Sequence, residues 1–174
     1  LTTLQREANR YYGFTASQTL KIVQELYEEK LVTYPRTDSQ YITEDMQQTM
    51  ADLLKHYGGE ADGVKQVVNN KKVTDHHAIL PTLESRKRGS NSLSGDKEKV
   101  FALIVWKMQQ AVQPPYIYED VLVTVCCQDR KFTAKYKNVL QAGHTAMPVP
   151  FAEQEKSKDM AFPKKLEQGE GIPV

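Results

Sequence analysis

Cysteine is almost missing from this chain: of 174 residues, only Cys126 and Cys127 carry a thiol. Adjacent Cα atoms lie about 3.8 Å apart across a trans peptide, too close for an ordinary disulfide. A cross-linked scaffold is therefore excluded, and the pair reads as strand residues in a reducing compartment. Nor do the two thiols have the C-x-x-C spacing of a thiolate metal site. No apolar run is long enough to span a bilayer, and no charged-then-apolar leader opens the sequence, so no membrane partner is expected and the expected location is the cytoplasm. An excess of charge is lacking too: 23 Lys and Arg face 22 Asp and Glu, a formal net charge of +1. Proteins that hold nucleic acid by bulk charge carry a basic excess, so any such affinity here has to come from local patches. Lys71-Lys72 and Arg86-Lys87-Arg88 are the candidates, although a charge run is more often a solvated surface. No internal repeat is visible.

What is present is a compact set of chemically loaded residues, Tyr34-Pro35-Arg36-Thr37-Asp38-Ser39, after the apolar approach Leu31-Val32-Thr33. On an extended strand, side chains at i and i+2 leave the same face, so Tyr34 and Arg36 point together while Pro35 stiffens the backbone between them. A phenol titrates near pH ~10 and needs a nearby positive charge to act as a nucleophile at neutrality. Arg36 supplies that charge, and its planar fork can grip two phosphate oxygens as charge builds on them. The plain alternative is a half-buried packing tyrosine followed by a polar turn in which Asp38 bonds its own backbone.

A second segment, Thr74-Asp75-His76-His77-Ala78-Ile79-Leu80-Pro81-Thr82, sets two adjacent histidines before an apolar stretch closed by proline. Adjacent side chains diverge on helix and strand alike, so at most one of His76 and His77 faces a shared site and the other supports it. The same divergence argues against the pair as chelating ligands, and no metal ligand is assigned.

Along the chain, Thr2 with Gln5 and Thr15 with Gln18 have capping-box spacing, predicting two helices, the first stopped by Gly13. The second runs to about Lys30 with Leu20, Val23, Leu26 and Tyr27 on its apolar side. After a Tyr34 strand, Thr43 is placed to cap a third helix with Glu44 and Asp45 in its first turn, ending near Gly58-Gly59. Its Met46, Met50, Leu53 and Leu54 read as core. Arg86 to Gly95 reads as a surface loop, and Lys97 to Gln113 as a helix with a buried stripe of Val100, Phe101, Ile104, Val105 and Met108. Pro114-Pro115 ends that helix. Beyond it the period becomes two, and Glu119 to Cys127 and Lys131 to Lys137 read as strands around a Gln128-Asp129-Arg130 turn. The fold class is therefore α+β, with a domain boundary near Pro115 separating 1–115 from 116–174.

Taken together, the motifs carry a resemblance. Leu1-Thr2-Thr3-Leu4-Gln5-Arg6-Glu7-Ala8, then Phe14 to Leu20, Leu26-Tyr27-Glu28, the Tyr34 motif and the His76 motif stand in the order shown by type IA DNA topoisomerases. The sequence is similar to the central part of such an enzyme, on the bacterial topoisomerase III branch. The similarity is clear from Leu1 to about Thr82 and looser beyond. It implies that Tyr34 attacks one strand of single-stranded DNA and becomes linked to the 5′ phosphate, that Arg36 stabilises the phosphoryl transition state, and that His76 lies against the scissile phosphate. It makes Thr37 and Asp38 supports for Arg36 and the turn, and His77 a supporting residue where some relatives carry Glu. It further implies a small helical domain bearing the tyrosine, and strands belonging to a β-rich arch around the DNA gate.

The same resemblance implies magnesium in the intact enzyme, bound by an acidic module that this sequence does not contain. The chain is accordingly expected to be a fragment, inactive alone, whose partners are DNA and the rest of the topoisomerase chain in a bacterial, nucleoid-associated setting. Two rivals stand beside this reading. One is a noncatalytic DNA-binding module with Tyr34 merely buried. The other is a relaxase-like nuclease, which wants histidines flanking one apolar residue, a spacing His76-His77 lacks.

Overall fold

The computed structural model describes residues 1–88 and 93–151. These divide into two compact units, 1–114 with 144–151 and 115–143. The first is helical. α1 (Thr2–Tyr12) buries Leu4 and Ala8 and ends at Gly13, whose φ of 71° lets the chain reverse with its N–H on the carbonyls of Ala8 and Asn9. Thr2 is not the cap that the sequence suggested. The Gln5 N–H already reaches the Leu1 carbonyl at 3.0 Å, so Thr2 lies inside the first turn, and the Gln5 amide turns to the Ala16 carbonyl instead.

α2 (Ala16–Glu28) does start as read: Gln18 N–H donates to the Thr15 hydroxyl at 3.1 Å. Its buried face is Thr19, Ile22, Val23 and Leu26, rotated from the expected stripe so that Leu20 is half-buried and Tyr27 is 38% exposed. The rotation follows from packing against both α1 and α5 (Gly95–Ala111). Gln18 ties this contact by donating to Asp96 at 3.1 Å, and Lys97 bridges to Glu25 and Glu29.

α5 passes through both hydrophobic clusters of this unit. Val100, Phe101, Leu103, Ile104 and Trp106 join α1 and α2 in one, whereas Met108 and Val112 join Ile42, Met50, Leu53, Leu54, Val64 and Leu80 in the other. A helix that serves two clusters is buried on more than one stripe. For that reason Leu103 and Trp106 are core although a single-stripe reading omitted them, and Val105 is only partly buried. Each fully buried leucine stabilises by about 1.5–3 kcal/mol relative to exposure.

α3 (Gln47–His56) follows a 3-10 turn at Glu44–Met46. Thr43 sits at the N-cap of that turn, but its hydroxyl makes no cap bond; the Asn70 side-chain oxygen accepts from Glu44 N–H at 2.9 Å instead. The helix stops at the predicted glycines, with Gly58 at φ 78° and Gly59 N–H on the Leu54 carbonyl. Another difference concerns the basic run read as a loop. α4 (Leu83–Arg88) begins there because the Thr82 hydroxyl accepts from Ser85 N–H at 3.2 Å, so Arg86 and Lys87 are helical. Residues 89–92 of the predicted loop, and the side chain of Arg88, lie outside the described set.

The second unit is an antiparallel hairpin of β1 (Ile117–Cys127) and β2 (Arg130–Gln141). Cys127 pairs with Arg130, which leaves a turn of Gln128 and Asp129, with Gln128 at φ 51°, rather than the three-residue turn expected. Both cysteines are exposed and unbridged. Helices followed by antiparallel strands make the fold α+β. Among the described residues, no helix is long and apolar enough to cross a membrane.

Candidate active site around Tyr34

The site begins where α2 ends. Lys30 adopts φ 62°, and the N–H groups of Lys30 and Leu31 return to the Tyr27 and Leu26 carbonyls at 2.8 and 2.9 Å. This reversal drives Leu31 and Val32 into the core, at 2% and 1% exposure, and fixes the direction in which the next residues leave it.

Those residues are zipped to the second motif. Thr82 N–H donates to the Leu31 carbonyl (3.0 Å) and Thr33 N–H to the Leu80 carbonyl (2.9 Å), around a single antiparallel bridge between Val32 and Pro81. No strand forms at Tyr34, contrary to expectation. Pro35 and Pro81 have no N–H to offer, so a ladder cannot propagate past them. Threonine hydroxyls continue the pairing instead. Thr33 accepts from Leu80 N–H at 2.9 Å and donates to the Ala78 carbonyl at 3.3 Å, and Thr37 donates to the His76 carbonyl at 3.0 Å. Thr37 is 8% exposed and also accepts from Ser39 N–H at 3.1 Å. Further on, the Ser39 hydroxyl donates to the Lys72 carbonyl at 2.8 Å and Ala78 N–H to the Tyr41 carbonyl at 2.9 Å. Two segments some 40 residues apart thereby become one rigid element, with |i−j| of 39 across the Thr37–His76 bond.

Within it, the Tyr34 ring is half-buried against two others. His76 lies at 4.4 Å between centroids with the planes tilted by 43°, and Tyr27 lies at 5.4 Å in an edge-on arrangement at 80°. The histidines diverge: exposed His76 meets Tyr34, whereas half-buried His77 directs Nδ1 at the Ala78 carbonyl, 2.8 Å away. A carbonyl only accepts, so Nδ1 of His77 carries the proton. Pro35 is fully buried, and Arg36 just beyond it is exposed. Among the described residues, no hydrogen bond or ion pair occupies the Arg36 guanidinium, and Asp38, also exposed, forms no ion pair with it. An unengaged guanidinium two residues along the chain from a packed phenol is suited to an anion that arrives from outside.

The cationic candidates have separate fates. Lys72 donates to the Tyr41 hydroxyl at 3.1 Å and sits 4.6 Å over its ring, next to the Ser39 bond; Lys71 is exposed. Lys87 pairs with Glu84 at 3.0 Å on α4, and Arg86 is exposed on the same helix, near Tyr57. Sequence periodicity placed Tyr27 in a core stripe and so missed its contact with Tyr34; its position six residues from the end of that strand-like approach carried no local signal. Among the described residues, no group of three or more His, Cys, Asp or Glu is placed to hold a metal ion.

Comparison with known proteins gives a consistent picture. A family model described as DNA topoisomerase matches residues 1–174. The chain is 38% identical to DNA topoisomerase 3 of Bacillus licheniformis, over 100% of its own length and 26% of that protein. It is 37% identical to DNA topoisomerase 3 of Bacillus subtilis, with the same coverage. Full-length topoisomerase I from Thermotoga maritima superposes with a TM-score of 0.62 at 25% identity, covering 94% of this chain and 28% of that one. The chain thus spans about a quarter of the length of the curated relatives, 26% in both Bacillus proteins.

Proposed function

Because this chain belongs to the DNA topoisomerase family, we propose that it carries the strand-cleaving tyrosine of a type IA enzyme, with Tyr34 as nucleophile. The observation that carries this reading is the Tyr34 ring resting on His76 at 4.4 Å, in a loop that also presents the unengaged Arg36 guanidinium.

In the proposed reaction, Tyr34 Oη attacks a backbone phosphorus of single-stranded DNA. An O–P bond forms to Tyr34 while the bond from phosphorus to the 3′ oxygen breaks, and the phenol proton ends on that oxygen. The products are a 5′-phosphotyrosine and a free 3′ hydroxyl. The reverse attack reseals the strand, and since the phosphoester bond is conserved throughout, no nucleotide cofactor is needed. Arg36 holds two oxygens of the phosphoryl group as charge grows on them. His76 lies against the same phosphate, and Thr37 supports the turn through its bonds to the His76 carbonyl and Ser39 N–H. Asp38 adds a carboxylate that, among the described residues, engages neither Arg36 nor the turn, and His77 braces the Ala78 carbonyl that follows it.

Magnesium would supply further neutralisation of phosphate charge when bound, but the described residues contain no fitting ligand group. Its ligands are assigned to the remainder of the parent enzyme, and no step here depends on them. Residues 1–115 are read as the tyrosine-bearing domain and 116–174 as part of the β-rich arch. Lys71, Lys72, Arg86, Lys87 and Arg88 are proposed as backbone contacts for DNA, in an enzyme acting in the bacterial cytoplasm.

Tyr34→Phe in the full-length enzyme carrying this segment tests the proposal. Only a hydroxyl is lost, so DNA binding should persist while the covalent adduct disappears. A substituted enzyme that still forms a 5′ adduct would overturn the assignment.

A further inference from the structure

We propose that Tyr27 is a positioning residue for the Tyr34 nucleophile, its ring acting as a wall that selects the side-chain orientation of Tyr34. The inference rests on the proposed role of Tyr34 and adds a residue that the core does not require.

Four observations carry it. Tyr27 lies in the last turn of α2, where its neighbour Leu26 is fully buried, so its backbone is anchored. The residue itself stays 38% exposed, so burial in the core does not account for where its ring stands. That ring stands edge-on to Tyr34 at 5.4 Å and 80°, the geometry in which the positive rim of one ring meets the negative face of another. Finally, the backbone on both sides of Tyr34 is already fixed, by buried Val32 and by buried Pro35, so side-chain rotation is the main freedom left to the phenol. Tyr27 and His76 are the rings that limit it. A nucleophile held near its attack geometry reacts faster than one that must find it.

The hydroxyl of Tyr27 makes no hydrogen bond among the described residues, so the ring alone should matter. This separates Tyr27→Phe, which keeps the ring, from Tyr27→Leu and Tyr27→Ala, which remove it. The experiment uses the full-length enzyme carrying this segment and measures single-turnover adduct formation together with equilibrium binding of the same single-stranded oligonucleotide. Tyr27→Phe should cleave like the parent. Tyr27→Leu and Tyr27→Ala should cleave about 3- to 10-fold more slowly at unchanged affinity, the scale of one aromatic pair.

An unchanged cleavage rate in Tyr27→Leu and Tyr27→Ala would overturn the inference. So would a loss confined to affinity, which would make Tyr27 a platform for a DNA base rather than a wall for Tyr34. A rate loss in Tyr27→Phe equal to that in Tyr27→Ala would also overturn it, by placing the effect in the hydroxyl. Adduct formation by Tyr34→Phe defeats the underlying reading, whereas an inert Tyr34→Phe with a fully active Tyr27→Ala defeats only the role of Tyr27.

Discussion

The Thr37 hydroxyl donates to the His76 carbonyl oxygen at 3.0 Å, and this bond joins the turn after Tyr34 to the segment that brings His76 onto the Tyr34 ring. The Thr37 hydroxyl oxygen in turn accepts from Ser39 N–H at 3.1 Å. One buried threonine therefore closes the turn and fixes its distance from the histidine.

Thr37→Val keeps the shape but strands the Ser39 N–H and the His76 carbonyl. Unfolding in urea should show a loss of about 1 kcal/mol, the net contribution of a part-buried hydrogen bond. Thr37→Ser should recover most of it. Equal stability of Thr37→Val and the parent would mean that water satisfies these groups.

Arg36→Lys keeps the charge and removes the bidentate fork. Cleavage by the full-length enzyme should fall by about 10²-fold or more, as when one transition-state donor is lost. Since Arg36 is exposed, the melting temperature of this chain should not move. Single-turnover kinetics beside a melting curve check both halves, and an undiminished rate would reduce Arg36 to a surface residue.

This chain alone should form no covalent adduct with single-stranded DNA, with or without magnesium. Positioning groups and charge-neutralising groups act as a unit, so part of a site does not give a proportionate rate. Magnesium-dependent adducts on a denaturing gel would place the whole machinery within this segment.

Gly63→Ala should destabilise the fold strongly. A Cβ there would collide with the Val112 carbonyl oxygen, a backbone atom at the end of α5 that has no rotamer to escape by. Overpacking of this kind costs about 1–3 kcal/mol, so a thermal melt should move down by several degrees.

Alkaline titration should expose Tyr12. Burial, with a smaller push from Tyr11, raises its phenol from 10.0 to about 12, and it donates to the Pro150 carbonyl at 2.7 Å. A raised acid favours folding below its unfolded value and loses that contribution as pH climbs through its folded one. Stability should therefore fall between pH 10 and about 12. Tyr57, also raised by burial, acts in the same direction. Tyr12→Phe should flatten the fall in urea midpoint over that window, and an identical pH profile would show that Tyr12 ionises freely.

The sequence by itself determined the features governed by local chemistry. Gly13 and Gly58 stop their helices because only glycine takes positive φ without penalty, and Thr15 starts α2 because its hydroxyl reaches Gln18 N–H. The ordered motifs carried the family, and the switch of period after Pro115 carried the hairpin.

What only the tertiary structure decided were matters of competition between distant groups. Asn70 rather than Thr43 satisfies Glu44 N–H, and α5 is buried on several sides because two clusters share it. The extended stretch at Tyr34 never becomes a strand, since Pro35 and Pro81 withhold the donors that a ladder needs and Thr33 and Thr37 take over the pairing. Tyr27 turned from core to neighbour of Tyr34 for the same kind of reason: helical periodicity states which residues share a face, but only packing against α1 and α5 decides which face is covered.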